Sequence, residues 1–375
     1  MRHKGWGSQA ALLILIMLLG ATFTACLGGG VVQRAPGGSG PAQDQDLLYV
    51  GSREGKVLAL DPESRSRGLP FPSPKEWIYP RDKDKLKAIY GTPVVSGGNI
   101  YLGTFDGQVY ALDAKTGFPR WQQPLEDDGP IIGALAVAGD TVFVAGGDKV
   151  YALTADSGQY RWQPFTAGER IWSGPVVHEG TVYFGSMDHN FYALDAQTGR
   201  LRWEPFAAGG AIVSTPLVRD GVVYFGAFDS KLYALNTETG QPRWREPFPG
   251  DGWFWGRALF NDGRVFAATV KGSLYAIDAG TGVPSWNRPF KVDGPVRFSP
   301  VLVGDTLVMA SGDGAIYGID AQTGAQRWKQ SVAEKRISAD PAVLGDTVYV
   351  HAEDGKVYAL DAQTGAIQWG FPLKR

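Results

Sequence analysis

The sequence predicts an all-β protein, an eight-bladed β-propeller whose blades are four-stranded antiparallel sheets. The first observation is a phrase close to Val-Tyr-Ala-Leu-Asp-Ala-x-Thr-Gly, in which one position closes the apolar half of each copy: Asp61, Asp113, Thr154, Asp195, Asn236, Asp278, Asp320 and Asp361. The second is the spacing of these positions, which is 41 or 42 residues at every step except the first, where it is 52. The third is a tryptophan eight residues later in seven copies: Trp121, Trp162, Trp203, Trp244, Trp286, Trp328 and Trp369. So regular a register predicts that each copy is one structural unit, packed against its neighbours in the same way.

The fourth copy shows the strands expected of each unit. Short aromatic and β-branched runs alternate with Gly and Asp turns at about ten-residue spacing, which is typical of strands and not of helices. The predicted strands of this copy are residues 173–177, 181–185, 191–195 and 200–205. In the turn before the last strand, Asp195 is expected to accept hydrogen bonds from backbone N–H groups ahead of it. Gly199 is expected to take the left-handed conformation.

Radial repetition follows from the size of the unit. A four-stranded sheet of about 41 residues cannot bury both of its faces alone. Repeating it around an axis covers each face with the next sheet, and ~40–45 residues with four strands is the propeller period. Residues 47–375 hold eight such units, but the first is irregular: no first strand is evident upstream of Leu47, and Trp77 follows Asp61 by 16 residues. Two alternatives stay open, namely seven full blades plus a degenerate one, or a ring closed by an unrecognised N-terminal strand.

The N-terminal segment differs in kind from the repeats. Basic residues precede an apolar run at 10–19, followed by small residues and by Cys26, the only cysteine of the chain. That order is typical of a secretory signal, and with the cysteine it resembles a bacterial lipoprotein signal. We therefore expect residues 1–25 to be a signal peptide, Cys26 to be lipidated, and the Gly/Pro/Gln-rich residues 26–46 to be a flexible tether. An uncleaved membrane anchor and a free secreted form are the alternatives, and all three place the propeller outside the cytoplasm.

Composition restricts the partners that the chain is expected to bind. The formal net charge is −2 and the basic residues are scattered singly, which does not favour a nucleic-acid partner. The 12 tryptophans, 15 tyrosines and 18 phenylalanines are typical of a packed β protein. Because a lone cysteine cannot form an intramolecular disulfide, stability is expected to come from the core and from ring closure.

Three copies carry the fullest form of the repeat: YALDAKTGFPRW, YALDAQTGRLRW and YALDAQTGAIQW. They resemble the pyrroloquinoline-quinone (PQQ)-type propeller family, whose blades carry Ala-x-Asp-x-x-Thr-Gly-x-x-x-Trp. The resemblance covers residues 47–375 and implies a propeller in which the repeated tryptophan docks one blade on the next. The seven near-equivalent tryptophans are therefore expected to be structural, and the resemblance alone does not imply that the cofactor is bound.

The family also contains enzymes, which gives one functional alternative. A PQQ-dependent alcohol or sugar dehydrogenase would hold the quinone over Ca²⁺ with an aspartate base. The candidate residues, where first strands enter the central funnel, are Arg257, Arg297 and Asp340. The chain lacks the cysteine pair and the haem-attachment sequence that such enzymes often carry, and a funnel Asp–Arg pair is more often an ion pair. We therefore predict no catalytic residue, no metal and no cofactor.

The favoured hypothesis is a membrane-anchored, non-catalytic scaffold for protein partners in the bacterial cell envelope, as in lipoprotein members of this family. The Asp-Ala-x-Thr-Gly turns are nearly identical between copies, whereas the loops after each tryptophan differ, and variation on a repeated frame is where recognition is placed. The predicted partner surface is Trp172, Trp253, Phe254, Trp255 and Arg257. Alternatively, some of these side chains pack inward as ordinary strand residues. A ligand-sensing or glycan-binding propeller is the second functional alternative.

Overall fold

The computed structural model describes residues 41–44, 46–81, 84–122, 125–126, 129–332, 336–337 and 339–372. These residues form 32 strands and one short helix. The strands pair in eight four-stranded antiparallel sheets, each made of four strands consecutive in the chain. The predicted eight-bladed β-propeller is therefore confirmed.

The strand boundaries repeat from blade to blade. Blades 1 and 2 contain β1 (Ala42–Asp44), β2 (Leu47–Gly51), β3 (Val57–Leu60), α1 (Pro62–Ser66), β4 (Trp77–Tyr79), β5 (Val94–Ser96), β6 (Asn99–Gly103), β7 (Gln108–Asp113) and β8 (Leu125–Glu126). Blades 3 and 4 contain β9 (Ala136–Ala138), β10 (Thr141–Gly146), β11 (Lys149–Thr154), β12 (Phe165–Thr166), β13 (Val176–His178), β14 (Thr181–Gly185), β15 (Asn190–Asp195) and β16 (Phe206–Ala207). Blades 5 and 6 contain β17 (Leu217–Arg219), β18 (Val222–Gly226), β19 (Lys231–Asn236), β20 (Phe248–Pro249), β21 (Leu259–Asn261), β22 (Arg264–Ala268), β23 (Ser273–Asp278) and β24 (Phe290–Lys291). Blades 7 and 8 contain β25 (Val301–Val303), β26 (Thr306–Ala310), β27 (Ala315–Asp320), β28 (Gln326–Ser331), β29 (Ala342–Leu344), β30 (Thr347–His351), β31 (Lys356–Asp361) and β32 (Ile367–Pro372).

The two ends of each sheet carry different connections. At one end, which we call the turn rim, the Asp-Ala-x-Thr-Gly turn joins the third strand to the fourth. In blade 4, Asp195 Oδ1 accepts bonds from Thr198 N at 2.9 Å and from Gln197 N at 3.1 Å, and Gly199 has φ of 70°. The predicted turn chemistry is thereby confirmed. At the other end, which we call the mouth, the loop entering each blade lies beside the hairpin of its second and third strands.

The fourth strands depart from the prediction. In blade 4 the strand is β16, whereas residues 200–205 before it form only an isolated bridge between Leu194 and Leu201. Pro205 explains the displacement, because proline has no N–H to donate to the ladder. Blade 7 has no proline after Trp328, and its fourth strand β28 is continuous. The first strand of blade 4 is also displaced, since β13 begins at Val176 and not at residue 173.

Most tryptophans that follow the repeat dock one blade on the next. In blade 3, the indole N–H of Trp162 donates to the carbonyl of Ala196 in the following turn, at 3.2 Å. The glycine of that turn, Gly199, lies so close that a Cβ would meet the indole at 2.7 Å. The same indole-to-carbonyl bond recurs for Trp77, Trp121, Trp203, Trp244, Trp286 and Trp328. Trp369 of blade 8 instead packs against the cluster that closes the ring.

Apolar clusters fill the junctions between neighbouring blades and form the core. Each combines side chains from two adjacent sheets, as in the cluster that joins Phe191 of blade 4 to Phe225 of blade 5. Those two rings stack with centroids 4.0 Å apart. Because each face of a sheet is covered by its neighbour, the four-stranded unit is stable only as part of the ring.

Blade 1 closes the ring on blade 8 through contacts that are not found at the other junctions of the described residues. The carboxylate of Glu76 accepts a 2.8 Å bond from Arg65 of helix α1, and both side chains are buried, at 0% and 5% exposure. The Arg65 guanidinium also lies 4.8 Å from the Phe371 ring of blade 8, and Phe71 packs 5.3 Å from the same ring. The insertion between Asp61 and Trp77 therefore supplies the closing contact.

The first strand of blade 1 lies upstream of the predicted domain boundary. The sequence shows no such strand before Leu47, but β1 pairs with β2 and occupies part of the segment expected to be a tether. Of the two alternatives left open, the unrecognised N-terminal strand is the one observed. The predicted signal peptide and Cys26 lie outside the described residues. Within the described residues, no helix combines the length and apolarity needed to cross a membrane.

Candidate functional site at the mouth of the propeller

The first strands of neighbouring blades contact one another and line the centre of the ring. The residues leading into each first strand alternate between the core and this central opening. In blade 6, Phe254 forms a bridge with Thr269, is 1% exposed and packs 6.2 Å from the Tyr275 ring. The predicted partner surface is therefore wrong at Phe254, because strand alternation turns it into the core. Trp253 and Trp255, on either side, stay partly exposed.

The predicted aromatic residues of the mouth meet, although they come from separate blades. The Trp172 ring of blade 4 lies 6.4 Å from the Trp255 ring of blade 6. Phe228, in the hairpin of blade 5, stacks on Trp253 at 4.4 Å and lies 5.3 Å from Trp255. We call Trp172, Phe228, Trp253 and Trp255 the aromatic strip. All four side chains are partly exposed, so the strip presents rings to solvent across three blades.

The loop before the strip is held in place by a partly buried hydrogen-bond network around Asp251. Its carboxylate accepts bonds from Thr269 Oγ1 at 2.7 Å, Ser273 Oγ at 2.8 Å and Lys291 Nζ at 2.8 Å. Desolvation raises the pKa of Asp251, but the hydrogen bonds from Lys291, Thr269 and Ser273 outweigh it and lower the pKa to about 2. The carboxylate therefore stays ionised and fixes the backbone two residues before Trp253.

The sequence reasoning did not identify Phe228 or Asp251, although both leave a signal. In blades 4, 5, 7 and 8 the hairpin carries an aspartate that accepts a bond from the tyrosine four residues later: Asp188–Tyr192, Asp229–Tyr233, Asp313–Tyr317 and Asp354–Tyr358. Blade 6 has Lys271 at that position, so its loop must supply the carboxylate, which is Asp251. Phe228 occupies the hairpin position that Met187 holds in blade 4, where a large apolar side chain faces the mouth.

Arginines lie beside the strip. The Arg297 guanidinium of blade 7 lies 5.6 Å from the Trp255 ring centroid, and its Nε is buried without a hydrogen-bond partner. Burial lowers the pKa of Arg297, as does the nearby charge of Arg336, whereas Glu353 opposes them. Within the described part of the chain, neither Arg257 nor Arg297 forms an ion pair with a carboxylate.

Asp340 and Arg257, two of the funnel candidates, are connected through Ser299. Asp340 accepts bonds from Ser299 N at 2.7 Å and from Ser299 Oγ at 3.2 Å, and that hydroxyl accepts a bond from Arg257 N at 3.1 Å. Burial deep in the funnel raises the pKa of Asp340, while the bonds from Ser299 and the charge of Arg257 lower it. The Asp340 residue is nonetheless exposed to solvent. The network ties blades 6, 7 and 8 together, but the expected Asp–Arg ion pair is not formed.

These residues do not fit a quinone held over calcium. Ca²⁺ takes six to eight oxygen ligands. The part of the chain that the structure describes contains no group of three or more His, Cys, Asp or Glu side chains able to hold a metal ion. Both oxygens of Asp340 already accept hydrogen bonds from Ser299. The dehydrogenase alternative therefore has no supporting donor set at the mouth.

Eight docked four-stranded blades define a β-propeller. A family model described as outer membrane protein assembly factor BamB matches residues 75–172, 147–251, 224–290 and 288–373. The chain belongs to this family.

Solved structures show the same fold in proteins of different function. A computationally designed protein, Ika8, superposes with a TM-score of 0.73 at 16% identity and covers 86% of this chain and 96% of its own. BamB from Moraxella catarrhalis gives 0.70 at 22% identity, covering 86% and 93%. The quinohemoprotein alcohol dehydrogenase ADHIIG from Pseudomonas putida HK5 gives 0.62 at 17% identity, covering 76% and 66%. At these identities the likeness establishes the fold alone.

One curated relative shares part of the sequence. The serine/threonine-protein kinase AfsK from Streptomyces griseus is 34% identical over 112 residues. The match spans 30% of this chain and only 12% of the kinase.

Proposed function

We propose that this protein is a membrane-anchored, non-catalytic scaffold that holds protein partners of the cell envelope at the mouth of its propeller. Membership of the BamB family and the propeller fold support the general role. The observation that carries the proposal is the aromatic strip. Trp253 and Trp255 are partly exposed and, among the described residues, neither indole N–H bonds to a neighbouring blade, whereas the docking tryptophans make that bond.

The strip has the properties of a protein-binding surface. Tryptophan and arginine are enriched among the residues that dominate binding energy at protein interfaces. Asp251 fixes the preceding loop, so little conformational entropy is lost when a partner orders these side chains. The turn rim, at the opposite end of the sheets, carries nearly the same turn in successive blades, which is typical of a structural role.

The test of partner binding is cross-linking in the native membrane followed by affinity purification. Trp253→Ala with Trp255→Ala is expected to reduce the cross-linked partner to less than about a tenth, the effect of losing a 1.4 kcal/mol contact. The matched control is Phe118→Ala, which removes an aromatic ring that is 54% exposed on the turn rim. Capture that survives the double substitution, or falls equally with the control, would contradict the proposal.

The membrane anchor is tested separately through Cys26. In the proposed scaffold, Cys26→Ser removes the only thiol available for lipidation and shifts the protein from the membrane fraction to the soluble fraction. Metabolic labelling with a fatty-acid analogue measures the same event directly. A serine variant that remains fully membrane-bound would indicate an uncleaved anchor instead.

A further inference from the structure

The mouth of the propeller has two chemically different parts, or arcs, one lined by aromatic side chains and the other by arginines. The aromatic strip occupies blades 4 to 6. Blades 6, 7 and 8 contribute Arg257, Arg297 and Arg336, which we call the arginine arc. The two arcs meet where the Arg297 guanidinium lies over Trp255 at 5.6 Å. An amphipathic surface therefore runs from Trp172 through Trp255 to Arg297, and Arg336 is near enough for its charge to act on Arg297.

The carboxylates nearest the arginine arc are already engaged. Glu353 pairs with Arg53 at 3.3 Å across the closing junction, and Ser299 donates both of its bonds to Asp340. The hairpin aspartates of blades 7 and 8, Asp313 and Asp354, accept bonds from tyrosines of their own hairpins. Among the described residues, no carboxylate forms an ion pair with Arg257, Arg297 or Arg336, although the charge of Asp340 acts on Arg257 and that of Glu353 acts on Arg297.

Two buried donors at the junction of the arcs also lack partners. Trp172 Nε1 and Arg297 Nε are both buried, and neither has a hydrogen-bond partner among the described residues. A buried donor without an acceptor destabilises the folded protein, and a ligand that supplied the acceptor would remove that destabilisation. Both groups are donors only. A ligand that satisfies them must therefore bring acceptor oxygens.

We infer that the mouth binds an acidic polypeptide segment whose apolar or aromatic side chain packs on the aromatic strip while its carboxylates face the arginine arc. This inference rests on the proposed function and specifies the chemistry of the partner. Carboxylates match the guanidinium fork, and a guanidinium near an aromatic face is well placed to bind them. The surface extends over five consecutive blades, which favours an extended chain over a single small ligand.

Fluorescence anisotropy with the purified full-length protein tests the inference. The probe is a short labelled peptide that alternates glutamate with phenylalanine. Two control peptides carry lysine in place of glutamate or serine in place of phenylalanine. We expect the glutamate–phenylalanine peptide to bind at least about ten-fold more tightly than either control, and its affinity to fall with added salt.

Variants of the protein connect this binding to the two arcs. Arg297→Gln and Trp255→Ala are each expected to weaken the glutamate–phenylalanine peptide by about ten-fold. Arg200→Gln is the matched control, because Arg200 is an exposed arginine on the turn rim. Circular dichroism of each variant confirms that the propeller has folded before its affinity is interpreted.

Several results would overturn the inference. If the lysine peptide binds as tightly as the glutamate–phenylalanine peptide, carboxylates are not what the mouth recognises. If the serine peptide binds as tightly, the aromatic strip contributes nothing and the site binds small anions only. In a third outcome, the acidic peptide does not bind, and partner capture is lost in Trp255→Ala but unchanged in Arg297→Gln. That outcome would support the scaffold role and refute the acidic segment as its partner. Peptide binding that follows the prediction, with partner capture unchanged by either substitution, would instead refute the scaffold role.

Discussion

The two rims of the propeller use the same residue types for opposite purposes. On the turn rim, Trp244 is 4% exposed and its indole N–H bonds to the carbonyl of Ala279 at 2.9 Å. At the mouth, Trp255 is partly exposed, and the indole N–H of neighbouring Trp172 has no partner among the described residues. The turn rim repeats one contact from blade to blade, whereas the mouth brings different side chains from each blade.

The comparison teaches that repetition separates structural residues from candidate binding residues. A contact made in the same way at successive junctions is required by the ring and carries no information about a partner. A contact made once, such as the stack of Phe228 on Trp253, is not required by the repeat.

The largest effect is expected where the ring closes, because that junction has the buried ion pair of Arg65 and Glu76. Glu76→Gln leaves a buried guanidinium without its carboxylate and should lower the free energy of unfolding by about 3–5 kcal/mol. Glu63→Gln is the control, since Glu63 and Arg67 form a pair that is exposed at 64% and 67%. That substitution should cost less than about 1 kcal/mol. Equal effects in chemical denaturation would show that the buried pair is not important for closure.

Loss of a docking tryptophan is expected to destabilise the protein by a comparable amount. Trp244→Ala removes a buried indole and its bond to Ala279, and should lower the free energy of unfolding by about 3–5 kcal/mol. Trp244→Phe keeps an aromatic ring but not the N–H, so it should cost less. If the two variants unfold at the same denaturant concentration, the volume of the aromatic ring contributes nothing measurable to docking.

The close approach of glycine to the docked indole gives a smaller effect. Gly199→Ala places a methyl group where the Trp162 ring lies 2.7 Å away, at φ of 70°, and should cost about 1–3 kcal/mol. Gly139→Ala is the control because Gly139 also has positive φ, 59°, but nothing lies within 4 Å of the added Cβ. The difference between the two variants in thermal unfolding measures the clash alone. No difference would show that the blade junction can relax around the methyl group.

The smallest expected effect is the pH dependence contributed by Asp251 at the mouth. Its folded pKa of about 2 lies below its ordinary value of 3.8, so its ionised form stabilises the fold above about pH 4. That contribution is lost as the pH falls through about 2. Asp251→Asn should therefore lower stability at neutral pH, and its difference from the unsubstituted protein should shrink between pH 4 and 2. A difference in stability that is constant with pH would show that the hydrogen bonds to Asp251 do not favour its ionised form.

Much of the fold could be predicted from the sequence because the same pattern of strands and turns recurs in each repeat. The spacing of the repeats predicts eight blades, and the turn chemistry at Asp195 and Gly199 is found as expected. Strand β1 could not be predicted, since its three residues show no apolar alternation and it is defined only by pairing with β2. The fourth strands are displaced because prolines after the tryptophans interrupt the ladder, and those prolines are visible in the sequence.

The site was predictable only in part. Trp172, Trp253, Trp255 and Arg257 stand out by composition, and the structure brings the three tryptophans together across blades 4 to 6. Whether alternate residues face the core depends on strand register, which the sequence does not determine in a loop. For this reason Phe254 was predicted at the surface although it lies in the core. The lack of an ion pair at Arg297 depends on contacts between blades that sequence spacing cannot give.

The most direct test of the central claim is the thermal unfolding of the Trp253→Ala, Trp255→Ala double variant beside Trp244→Ala. If the mouth tryptophans serve recognition and the docking tryptophans serve the ring, removing two indoles at the mouth lowers the midpoint less than removing one at a junction. A double variant that is as destabilised as Trp244→Ala, or more so, would assign the strip to the core and contradict the account.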